Sequence, residues 1–265
     1  MTLNKTYLLY IIGLLVVALA AAVPAVSWLS PLTYTAIFPF AAIWLWKSEG
    51  RSLCDLGYRF NQGWLYKLAM GLVFGLIIPI FFQVIQMIGG WITLSKRVDP
   101  IDGIVPYLVV LLLKMILIVG IEEFVFRGFF LQTLSRKVGI RLAAVLSSLL
   151  WGLGHLTSMV NSELIPVLIF MGMTTFLLWG ITLSLCYLRA GKSLWLPYGL
   201  HLGINLSFSL VGWPFIIQPK ASQWWIGNPA WSPESGMIGV IVWLSFAVVM
   251  YWLTGNSRIS KFTQS

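Results

Sequence analysis

Eight apolar runs follow one another along this chain, at 7–29, 32–46, 64–91, 104–134, 141–160, 164–189, 193–212 and 236–254. Most of them reach the ~20 residues that a helix needs to cross a bilayer. Hydrocarbon offers a backbone no hydrogen-bond partner, so a run of this kind must satisfy its own amides, and helices do so. Only 9% of the 265 residues are charged, against about a quarter in soluble domains. The pattern therefore predicts an all-α membrane protein with about eight transmembrane helices. The second run is short, with Pro31 at its start and Pro39 inside, which predicts tilting or a break. The fourth is too long for one perpendicular crossing, which predicts a kink or an end lying along the interface. The first run is long enough to span and has no convincing cleavage point after it, so it reads as a mature helix rather than a signal.

The net charge of +9 is distributed as a membrane orientation signal. With the N-terminus inside, the inner segments hold Lys5; Lys47, Arg51, Arg59 and Lys67; Arg136, Lys137 and Arg141; Arg189 and Lys192; and Arg258 and Lys261. The outer segments hold Lys96, Arg97 and Lys220. This asymmetry places both termini in the cytoplasm. No basic stripe accompanies an aqueous domain, so nucleic acid is not an expected partner. The two cysteines, Cys54 and Cys186, have no paired spacing and read as free thiols. The Trp- and Pro-rich tract 213–235 reads as an interfacial loop. The chain divides into N-terminal helices (1–104), a central segment carrying the polar residues (105–212), and the tract with the last helix (213–265).

Inside the fourth run lies Glu122-Glu123-Phe124-Val125-Phe126-Arg127. Each uncompensated charge costs about 2.5–3.5 kcal/mol on insertion scales, so three in six residues mark a polar site sunk in the membrane. Glu123 and Arg127 are one turn apart and suit an ion pair, while Glu122 points about 100° away. The only histidines, His155 and His201, also fall in spans, and Asn205 lies one turn after His201. Small residues accompany all three stretches: Gly120 and Gly128, Gly152 and Gly154, Gly199 and Gly203. They predict close helix approach that would gather Glu122, His155, His201 and Asn205 into one pocket.

Such a set suits hydrolysis. A carboxylate and an imidazole orient and deprotonate water, and a second imidazole with an amide donates to the oxyanion. Ser147, Ser148 and Ser207 lie close in sequence but lack a nucleophile elbow. Zinc is the competing cofactor, held by Glu122, His155 and His201, although HExxH is absent. Singly, each residue has a bland reading: an intramembrane histidine commonly ties two helices together. The conjunction of the three motifs favours a site.

The three stretches together resemble the CPBP intramembrane protease family, which includes type II CAAX prenyl endopeptidases and bacteriocin-processing relatives. Glu122–Arg127 matches EExxxR, Trp151-Gly152-Leu153-Gly154-His155 matches FxxxH with tryptophan for phenylalanine, and His201–Asn205 matches HxxxN. The resemblance covers roughly 105–210. It implies that Glu122 and His155 activate water, that His201 and Asn205 stabilise the oxyanion, and that Glu123 and Arg127 brace the motif. It also implies a membrane-associated protein or peptide as substrate, and a name in which metalloprotease is used. The HxxxN amide suits an oxyanion better than zinc, so no cofactor is favoured. Tryptophan at 151 is expected to touch substrate choice more than chemistry. The simple chain suggests a bacterial plasma membrane and a substrate other than a prenylated protein. A non-proteolytic scaffold or regulator keeping the same fold is the alternative. A transporter is less well supported, since paired or inverted halves are not evident.

Overall fold

The computed structural model describes residues 12–13, 37–96, 104–161, 165–212, 215–221, 223–228 and 234–254. The first apolar run and both termini therefore lie outside the described residues, apart from 12–13. Helix α1 (Phe38–Ser48) starts with Pro39 in its first turn, where a missing N–H costs nothing. Ile37 before it is also helical in backbone, and the earlier part of the second apolar run lies outside the described residues. A single 3₁₀ turn (Leu53–Leu56) follows, closed by a capping box between Ser52 and Asp55. Gly57 ends it at φ 116°, and a Cβ there would sit 2.9 Å from the Lys192 carbonyl oxygen. Only glycine meets both conditions.

Helix α2 (Trp64–Ile88) carries Pro79 in its interior. It leads to strand β1 (Ile92–Lys96). Helix α3 (Ile104–Glu123) passes into a π-helical segment (Phe124–Phe130) and then α4 (Leu131–Val138). The expected kink in the fourth run is therefore a change of helix type placed on the acidic motif. Helices α5 (Ile140–Asn161), α6 (Pro166–Arg189) and α7 (Trp195–Gly212) complete the central segment. Strand β2 (Phe215–Pro219), a single turn α8 (Gln223–Ile226) and α9 (Met237–Thr254) follow. Among the described residues, α2, α6 and the Ile140–Val160 part of α5 are long and apolar enough to cross a membrane, and Met237–Leu253 is a shorter apolar helix.

The most extensive helix contact joins α2 to α7. Four glycines make it. Added Cβ atoms would lie 2.3 Å from the Leu196 oxygen at Gly71, 2.3 Å from Leu200 O at Gly75, 2.3 Å from Leu68 O at Gly199 and 2.5 Å from Leu72 O at Gly203. Backbones therefore touch directly. The expected role of small residues holds at Gly199 and Gly203, and their partners on α2 are a second GxxxG. It holds as well at Gly128, where a Cβ would lie 3.0 Å from the Leu56 carbonyl oxygen, and is corrected at Gly120 and Gly152, where a Cβ would meet only ordinary contacts, at 3.5 Å.

Residue numbers rise together along this contact, so α2 and α7 run parallel. Their C-terminal ends leave side by side, and the following strands pair antiparallel from Ile92↔Pro219 to Lys96↔Phe215. This two-stranded ribbon is an addition to the all-α expectation. The tract 213–235, read as an interfacial loop, carries strand β2 and is tied to α2 and the turn after it: Gln86 Nε2 donates to the Ile226 carbonyl at 3.0 Å, and Trp91 meets Trp225 edge-on at 5.4 Å. Residues 213–214, 222 and 229–233 lie outside the described residues. Cys54 is exposed, Cys186 is buried, and both are free.

Candidate active site

Glu123 and Arg127 form the floor of the site. Their side chains are completely buried, and Arg127 Nη1 donates to Glu123 Oε1 at 2.9 Å. The guanidinium also lies 4.8 Å from the Trp151 ring centroid, a cation–π contact. The backbone beneath this pair is the π segment. The Leu131 N–H bonds the Phe126 carbonyl five residues back, and the Ser147 hydroxyl donates to the same oxygen. Ser147 thus braces the π turn from α5.

Tyrosines tie α3 to its neighbours at the same level. Tyr58 O–H donates to Gly120 O at 3.0 Å, and Tyr198 O–H to Ile116 O at 3.2 Å. Burial, followed by the Glu123 carboxylate, pushes the Tyr58 phenol well above its usual range, so it remains a donor.

His201, 2% exposed, brings its Nδ1 to 2.8 Å from Glu123 Oε1. A carboxylate accepts, which assigns the proton at this contact to Nδ1 and leaves Nε2 facing Glu122, 3.8 Å away. The edges of Trp151 and Trp179 enclose the imidazole, with centroids 5.4 and 5.3 Å away. His155 pairs its Nδ1 with the Trp151 carbonyl at 3.1 Å and stacks on Phe176 at 4.3 Å. That arrangement directs Nδ1–H to the helix backbone and leaves Nε2 for other partners.

Glu122 differs from Glu123 in every respect that matters. Its side chain is 25% exposed, and Oε2 accepts from Trp151 Nε1 at 2.7 Å. The tryptophan that replaces the family's phenylalanine therefore holds the carboxylate directly, and the expectation that it mainly affects substrate choice is revised. Phenylalanine has no such donor.

Glu122, His155, His201 and Asn205 all line one cavity of about 290 Å³. Glu123 and Arg127 do not line it and lie beneath. Glu234 is a further lining residue that none of the sequence motifs contains. It is 5% exposed, and its carbonyl accepts from the Thr175 hydroxyl at 3.1 Å, which ties the start of α9 to α6. Its only sequence signal is a lone acid before an apolar helix.

Among the described residues, no group of three His, Cys, Asp or Glu is placed to hold a metal ion. No curated protein and no solved structure matches the chain. The stretch that carries all three motifs, residues 104–207, matches the family described as Rce1-like, type II CAAX prenyl endopeptidase, and on that match the resemblance of this chain to the CPBP family stands.

Proposed function

We propose that this protein is an intramembrane endopeptidase whose cavity hydrolyses a peptide bond in a membrane-associated protein or peptide. The observation that carries the proposal is the convergence of Glu122, His155, His201 and Asn205 on one cavity over a buried ion pair. Water held between Glu122 and His155 gives up a proton as its oxygen attacks the carbonyl carbon. The oxyanion accepts hydrogen bonds from the Asn205 amide and from His201. The tetrahedral intermediate then collapses, the C–N bond breaks, and the abstracted proton passes to the leaving amine. No step uses a cofactor.

The eight-helix count and cytoplasmic termini belong to the same proposal, resting on the apolar runs and the basic asymmetry. The matched family's name points to prenylated C-terminal peptides.

The test is cleavage of a quenched-peptide and membrane-protein library by the purified protein, with and without chelator, beside Glu122→Ala. Cleavage lost in Glu122→Ala and retained with chelator is expected. Full activity in the variant would sink the assignment, and loss with chelator would restore a metal. Trp151→Phe offers a finer probe. A hydrogen bond to a charged group is worth about 1.5–3 kcal/mol, so cleavage should fall by roughly 10- to 100-fold with the melting temperature little changed. An unchanged rate would show that this bond does not position Glu122 for the reaction.

A further inference from the structure

A second cavity, of about 480 Å³, lies on the other side of α6 from the candidate active site. Its walls come from α5, α6 and α9. Leu178, Ile181, Leu185 and Leu188 form the α6 stripe, at helical spacing, while Trp179 and Phe176 on the same helix line the catalytic cavity. Ala144 on α5 and Ala247 on α9 supply the space, since their short side chains leave the neighbouring helices incompletely packed.

The groove changes character at one end. Arg141 lies in the first turn of α5, and Tyr251 and Trp252 lie in the last turn of α9; all three line it. Trp252 is 79% exposed and Tyr251 41%, as in the aromatic belt at a membrane interface. The Arg189 guanidinium donates to the Leu253 carbonyl beside them, and Arg136 and Lys137 close the preceding helix α4. The deeper part is lined by aliphatic side chains.

These features select an occupant. A helix is about 10–12 Å across and a spanning one about 30 Å long, far more than this volume accepts. An extended peptide would bring backbone N–H and C=O groups against the aliphatic walls of the deeper part, at several kcal/mol each. A hydrocarbon chain brings none, and the volume falls within the range of small-ligand cavities. The cation at the mouth then complements an anionic headgroup. We propose that this groove holds one acyl chain of an anionic phospholipid whose phosphate sits at Arg141. The site is independent of the hydrolytic reading and survives if that reading fails.

The full-length protein in detergent would be titrated with phosphatidylglycerol or phosphatidylcholine of identical chains, and bound lipid counted by native mass spectrometry. One phosphatidylglycerol is expected to persist, with a preference of about fivefold over phosphatidylcholine, the factor that one cation near a membrane surface contributes. Arg141→Gln should abolish the preference and keep chain binding. Ala247→Trp should fill the groove and release the lipid, and Ala144→Leu does so with less added bulk should the larger substitution impair folding. Equal retention of the two lipids by the wild type would overturn the headgroup assignment, as would a preference surviving Arg141→Gln. Undiminished retention in a folded groove-filling variant would overturn the site.

Discussion

Glu123→Ala is expected to destabilise the protein by about 3–5 kcal/mol, whereas Glu122→Ala leaves it folded. The two glutamates are adjacent, yet only one is a structural charge. Glu123 Oε1 is shared by Arg127 Nη1 at 2.9 Å and His201 Nδ1 at 2.8 Å, in a site with no exposed side-chain surface on the ion pair. Removing that carboxylate strands a guanidinium in the protein interior and unfastens α3 from α7. Removing Glu122 deletes a carboxylate that already reaches the cavity and is 25% exposed. Thermal unfolding in one detergent, followed by near-ultraviolet signal, separates them. A Glu123→Ala melting temperature equal to that of Glu122→Ala would show that the buried pair is dispensable. Replacing both ends, Glu123→Leu with Arg127→Met, should recover part of the loss because no charge is then left unpaired. The recovery stays incomplete, since His201 still lacks its partner.

The second large effect is expected at Gly203. A Cβ there would lie 2.5 Å from Leu72 O and 2.9 Å from Gly75 Cα, so even alanine forces the two backbones apart. His201 and Asn205 flank that glycine on α7, and any displacement of the helix carries them away from Glu122. Misplacement by about 1 Å can cost on the order of 100-fold in rate, so Gly203→Ala should lose activity on that scale while still inserting in the membrane. Gly203→Leu should in addition lower the melting temperature sharply. Gly152→Ala is the control, because its Cβ would meet Phe176 Cβ at an ordinary 3.5 Å. Equal activity in Gly203→Ala and Gly152→Ala would mean that the glycine contact does not set the site.

The chemistry of this chain is legible in its amino acids, and the reason is contrast. Glu122, Glu123, Arg127, His155, His201 and Asn205 stand out because nearly everything around them is apolar. The intrahelical Glu123–Arg127 pair follows from spacing alone, and the structure has it. Contacts between helices are less accessible. Trp151 reaching Glu122 across 29 residues, and Gly71 and Gly75 meeting Gly199 and Gly203, depend on how helices rotate about their own axes. An apolar sequence with little amphipathic contrast does not encode that rotation legibly. Glu234 escapes notice for a related reason: it lies outside the motifs, and its place in the cavity depends on where α9 docks on α6. The β1–β2 ribbon is equally hidden, because two five-residue strands carry little pattern and their antiparallel pairing joins segments far apart in the sequence.

The π segment Phe124–Phe130 has a consequence for how this chain tolerates changes in length. A π turn accommodates one residue more than an α-helix would in the same rise. Deleting a single residue between 124 and 130 would let α3 run into α4 as an uninterrupted α-helix. The acidic pair would nevertheless keep nearly the same rotational phase relative to Arg136 and Lys137, because the π segment turns through about the same angle as an α-helix one residue shorter. What the deletion removes is the wide turn itself, with the Phe126 carbonyl that the Leu131 N–H and the Ser147 hydroxyl now share. The extra residue is therefore slack taken up inside one turn, so the stretch beneath the acidic pair can be one residue longer without moving either end of the helix.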